Sequence, residues 1–151
     1  MVNLTQTLYE TNFNLWLNQT ITQLKQGNLN QINLDNLIAE IEAMGRSKKR
    51  ELIIRLRVLL MHLLKWQYQS KKRSISWIAT INEQRFQVNQ LLKNSPSLKP
   101  YLKKNFDDCY QVALLDAAQE TQLNLNLNLN LFPMDCPFSQ EAILTPNFLP
   151  D

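Results

Sequence analysis

Glycine, histidine and cysteine are all scarce in this chain of 151 residues, and each scarcity excludes a class of chemistry. The only glycines are Gly27 and Gly45. Neither a dinucleotide-binding glycine fingerprint nor a phosphate-cradling loop can be assembled from two such distant residues. One histidine, His62, and two cysteines, Cys109 and Cys136, leave few soft ligands. No ligand pair has metal spacing, so no metal site and no cofactor is expected. Two cysteines are also too few for a disulfide scaffold, and the natural reading is reduced thiols in a cytoplasmic protein. No run of about 18 apolar residues occurs, so no membrane span is expected. The start, Met1 to Asn12, has neither the basic nor the apolar stretch of a secretory leader.

Basic charge is abundant, and it is concentrated. Between Arg46 and Arg85 lie 11 of the 16 Lys and Arg residues, against only Glu51 and Glu83, for a net charge of +9. The rest of the chain holds 5 basic and 11 acidic residues, a net of −6. This polarity bears on partner choice rather than on fold.

Helical periodicity runs through most of the sequence. Phe13, Trp16, Leu17, Thr20 and Leu24 predict one apolar face on a helix from about Asn12 to Gln26, stopped at Gly27. Asn33 or Asp35 can cap the next helix. Leu34, Leu37, Ile38 and Ile41 form one stripe on it, and Leu52, Leu56, Leu59, Leu60, Leu63 and Leu64 form another. At about 100° per residue the two stripes stay in phase across Gly45, which favours one helix from Asn33 to about Gln69, bent or straight at Gly45, over two helices split near Arg46. Ile54, Val58 and Met61 add a second apolar face and point to a central position. Trp77, Ile78, Ile81, Val88 and Leu92 mark the inner face of a helix beginning near Ser74 or Ser76. Ser95-Pro96 offers a cap and a first-turn proline for the next helix, with Leu98, Leu102, Phe106, Cys109 and Ala113 as its buried stripe. The Leu-Asn alternation from Leu123 to Leu131 reads as an expanded loop, with an edge strand that pairs between chains as the alternative. The proline-punctuated tail carries at most a short helix from Ser139 to Leu144, and Phe138, Phe148 and Leu149 predict that it docks. The expectation is one all-α domain over residues 1–151. It is a four- to five-helix bundle around one long central helix, helical over 8–120, with a loop and a docked irregular tail over 121–151.

Five polar or aromatic residues stand out as a possible ligand site or polar network. Glu51, Arg55 and His62 share a narrow helical arc, and Trp66 lies one turn beyond His62. Glu51 and Arg55 are spaced for an ion pair. Arg85 falls within the apolar arc of its own helix, where a guanidinium needs a carboxylate; Asp116 and Glu51 are the candidates. Acid–base catalysis by His62 needs a positioned partner, and the sequence marks none, so no catalytic residue is assigned. The clusters Arg46, Lys48, Lys49, Arg50 and Lys71, Lys72, Arg73 are basic patches suited to an acidic partner. They are suited also to a nucleic-acid backbone, although no reading motif accompanies them.

Several ordered strings together carry a resemblance. They are Leu8-Tyr9-Glu10-Thr11-Asn12-Phe13 with Trp16, Leu34-Asp35-Asn36-Leu37, Met44-Gly45-Arg46-Ser47, and above all His62-Leu63-Leu64-Lys65-Trp66. Ser76-Trp77 with Thr80, Gln84-Arg85, Ser95-Pro96-Ser97-Leu98 and Cys136-Pro137-Phe138 complete the series. From Leu8 to Pro150 the chain resembles the bacterial family known as domain of unknown function 29. It departs from the family pattern at Asn12, often aspartate there, and in the length of the Leu-Asn repeat. The resemblance implies a compact all-helical protein and carries over no activity and no catalytic residues. The sequence thus predicts a small cytoplasmic binding or protein-interaction module without catalysis, self-associating as a homodimer or taking a protein partner. Nucleic-acid binding through the basic patches, and a ligand or enzymatic site around His62, are the alternatives.

Overall fold

A computed structural model describes residues 4–121 and 132–151. The Leu-Asn repeat at 123–131 lies outside the described residues. Within them the chain is all-α, with six α-helices and no strand. They are α1 (Leu4–Thr11), α2 (Phe13–Gln26), α3 (Leu34–Tyr68), α4 (Ile75–Asn94), α5 (Leu98–Glu120) and α6 (Gln140–Leu144). Contacts group the chain into two units, Met1–Ser47 and Lys48–Asp151. The boundary falls inside α3.

Side-chain caps set most of the helix starts. Asn12 accepts from the Leu15 amide at 3.1 Å and opens α2. Asn33, rather than Asp35, accepts from the Asn36 amide at 3.2 Å at the start of α3. Ser74 and Ser139 do the same for α4 and α6, each supplying an acceptor to an otherwise unpaired first-turn amide. Gly27 closes α2 in the left-handed conformation at φ 74°, which costs a residue without Cβ nothing. α3 runs unbroken through Gly45. A Cβ built there meets nothing within 4 Å, so no close approach requires this glycine.

The first unit places Tyr9, Phe13 and Trp16 in one aromatic cluster. The Tyr9 and Trp16 rings meet edge to face with centroids 4.6 Å apart, a favoured quadrupolar arrangement. Tyr9 also donates to Glu40 Oε1 at 2.5 Å and so ties α1 to the start of α3. The helical region is expected from residue 8 and its first helix from about Asn12, so α1, which spans Leu4–Thr11, is an addition. On α2 only Trp16 and Thr20 of the expected stripe are buried, while Phe13, Leu17 and Leu24 stay exposed. Leu34, Ile38 and Ile41 are exposed as well. Periodicity marks an apolar face; it does not supply the surface that would cover it.

The second unit holds the main core. Leu52, Leu56, Leu59, Leu60, Leu63 and Leu64 of α3 are fully buried. They share one cluster with Ile81 and Val88 of α4, Leu98 to Ala118 on the inner face of α5, and Phe132, Phe138 and Ile143. The second face of α3 is less central than its composition suggests, since Ile54 is exposed and Val58 and Met61 are half-buried. α5 starts at Leu98, later than the Ser95-Pro96 signal predicts. Ser95–Ser97 instead form a turn, in which the Leu98 and Lys99 amides donate to the Ser95 and Pro96 carbonyls at 3.0 and 3.1 Å. In the tail Phe138 is buried, and Phe148 and Leu149 pack against the core.

Candidate functional site

The arc of α3 that carries Glu51, Arg55, His62 and Trp66 divides into three separate arrangements. Glu51 and Arg55 form the expected pair, Nε to Oε1 at 3.0 Å. Arg55 Nη1 continues to Gln84 Oε1 of α4 at 3.3 Å. Both members of the ion pair are partly solvated, so it contributes at most about 0.5 kcal/mol.

His62 turns back on its own helix. Its Nδ1 lies 2.9 Å from the Val58 carbonyl, which can only accept, so the neutral ring carries its proton on Nδ1 and its lone pair on Nε2. Burial is the largest influence on the ring and pulls its pKa below the ordinary histidine value. The Val58 hydrogen bond opposes this, Lys65 lowers the value further and Glu120 raises it. Trp66 takes a different neighbour. The Arg73 guanidinium lies 4.7 Å from the centre of its ring, and Arg73 Nε donates to the Trp66 carbonyl at 2.7 Å.

One residue between them was not singled out by the sequence. Lys65 is only 5% exposed. Its ammonium donates to Glu120 of α5 and sits 4.8 Å from the centre of the Trp77 ring of α4. A charge-assisted hydrogen bond and an aromatic face together offset the cost of burying the cation. The signal was present: at about 100° per residue, Lys65 falls in the middle of the Ile54–Val58–Met61 face.

Arg85 is 2% exposed, deeper than any other arginine in the described chain. Neither expected carboxylate reaches it. Glu51 is held by Arg55, and Asp116 is held by Arg57 at 2.9 Å. Backbone carbonyls of the tail take their place: Arg85 Nε donates to Ile143 at 2.7 Å and Nη2 to Phe148 at 2.6 Å. Burial pulls the Arg85 pKa below the ordinary arginine value, yet a guanidinium stays charged at neutral pH. Of the five residues, then, only Glu51 and Arg55 bond to each other.

The basic clusters lie at the surface. Arg46, Lys49 and Arg50 are exposed and Lys48 is half-buried, while Lys71, Lys72 and Arg73 are all exposed around the Ser70–Lys72 turn. Lys49 rests 5.3 Å from the centre of the Tyr101 ring. Both thiols are free, and burial pushes the pKa of each above the ordinary cysteine value. They therefore stay protonated and weakly nucleophilic near neutral pH. Among the described residues no group of three His, Cys, Asp or Glu side chains is placed to hold a metal ion. No described helix is long and apolar enough to cross a membrane.

The model of the family described as Domain of unknown function DUF29 matches residues 8–149. No curated protein and no solved structure matches the chain.

Proposed function

The chain belongs to the DUF29 family, and for this member we propose a non-catalytic role as a protein-association module that pairs with a second copy of itself through the first half of α3. The observation that carries this reading is the state of Leu34, Ile38 and Ile41, which are 53%, 51% and 55% exposed. They fall within an arc of about 60° on the helix. Aliphatic side chains aligned at this spacing and left in water are the kind of surface that a partner helix covers.

The order of charges along α3 favours a second copy as that partner. Asp35, Glu40 and Glu42 come first; Arg46, Lys48, Lys49 and Arg50 follow. Two such helices set antiparallel place the acidic stretch of each beside the basic stretch of the other. Two-fold symmetry then makes each contact twice.

Sedimentation equilibrium at low and high salt tests the reading. A dimer whose affinity falls as salt screens the charge pairing is the expected result. A monomer at every concentration overturns it.

A further inference from the structure

Arg85 has a larger hydrogen-bonding capacity than its surroundings use. Nε and Nη2 donate to the tail, and Asn89 Nδ2 donates beside them to the Leu144 carbonyl at 3.0 Å. The remaining nitrogen, Nη1, is buried and has no partner among the described residues. The charge is unmatched as well, since no ion pair of the described residues includes Arg85. Residues 1–7 and 122–131 contain no Asp or Glu, so they hold no further carboxylate side chain to offer it. A buried cation facing only carbonyl dipoles is costly, and an unused buried N–H adds to that cost.

The same arginine forms part of the wall of a cleft of about 400 Å³, together with Asn82, Phe86, Asn89, Pro146 and Asn147. That volume lies within the roughly 300–1,000 Å³ typical of small-molecule sites. Phe86 offers a ring that is more than half exposed, and Pro146 adds a second apolar surface. Asn147 holds a left-handed conformation at φ 66°, which asparagine tolerates better than most residues. That turn is closed by the Phe148 amide, which donates to the Thr145 carbonyl at 3.2 Å.

We propose that this cleft binds a small organic carboxylate with an apolar body. The carboxylate supplies the counter-charge that the guanidinium in the cleft wall lacks. Asn82 and Asn147 add amide donors at the rim, and the apolar body lies on Phe86 and Pro146. An inorganic anion would answer the charge and leave the apolar wall wet. A neutral aromatic amide would cover the wall and leave the charge unmatched. Binding therefore needs both halves of the ligand.

The test is a titration of the isotopically labelled full chain, followed by amide NMR, with phenylacetate, benzoate and hexanoate. Phenylacetamide and inorganic phosphate serve as controls. At least one carboxylate should give saturable shifts centred on Asn82–Asn89 and Ile143–Phe148, with a Kd of about 1 mM or tighter. Both controls should bind at least about tenfold more weakly. Arg85→Gln should abolish binding, and because that variant also loosens the tail, Phe86→Ala is the variant that decides. Its ring is largely exposed, so the fold should persist while carboxylate affinity falls about tenfold. No saturable shift with any of the three carboxylates, equal affinity for phenylacetamide, or unchanged affinity in Phe86→Ala would each overturn the proposal.

Discussion

The ammonium of Lys65 sits 4.8 Å from the centre of the Trp77 ring and donates to Glu120, so a lysine on α3 is satisfied jointly by α4 and α5. It links the three helices of the main core through a charge rather than through another leucine. The two ends of the pair are unequal, with the lysine side chain 7% exposed and the glutamate 52% exposed.

That inequality predicts unequal mutant costs. Glu120→Gln keeps an acceptor near Lys65 and loses only a partly screened charge, so it should cost about 1 kcal/mol. Lys65→Ala removes the buried stem as well and should cost about 2–4 kcal/mol. Urea unfolding of the two variants measures the difference. Equal costs would mean that the ion pair, and not the packing of the stem, dominates.

Arg85 makes a separate prediction through the tail. Hydrogen bonds from a charged donor contribute about 1.5–3 kcal/mol each, and this guanidinium makes two. Arg85→Met should lower stability by about 3 kcal/mol or more. The loss should appear locally, as faster amide hydrogen exchange over Ile143–Phe148 than in the Leu52–Leu64 core. Uniformly faster exchange across the chain would show that Arg85 does not act as a clamp on the tail.

His62 sets a pH dependence whose sign follows from its lowered pKa. Because the folded state disfavours the charged ring, the unfolded chain binds more protons just below its own pKa of about 6.5. The contribution of neutral His62 is therefore intact above about pH 6.5 and declines as pH falls through that value towards the lower folded pKa. His62→Gln should flatten the slope of Tm against pH just below about pH 6.5. An unchanged slope in that window would remove His62 as its source.

Much of this was readable from residue order, for identifiable reasons. The unbroken α3 follows from leucine stripes that keep phase across Gly45, and the caps at Asn12, Ser74 and Ser139 follow from side chains that can accept from the first turn. The Glu51–Arg55 pair follows from spacing alone. The partners of Arg85 were hidden because backbone carbonyls belong to every residue and leave no mark in the sequence. Only the fold brings the Ile143 and Phe148 carbonyls to α4. The exposure of Leu34, Ile38 and Ile41 was hidden for a related reason, since an apolar stripe looks the same whether the chain or a partner covers it. Lys65 was legible in principle from its helical angle; its charge argued for the surface and its position for the interior. The Arg85 cleft joins one helix to residues some 60 positions later, a separation that no local pattern spans.

Pairing of α3 with its counterpart in a second copy is decided by sedimentation equilibrium of Ile38→Lys/Ile41→Lys beside the unaltered chain. Both positions are more than half exposed, so the variant should keep its helical circular dichroism. The unaltered chain should form a concentration-dependent dimer, weakened by salt, and the variant should be a monomer, with the dimer constant at least about 100-fold poorer, or about 2.7 kcal/mol. A monomeric unaltered chain, or a variant that dimerises equally well, would contradict it.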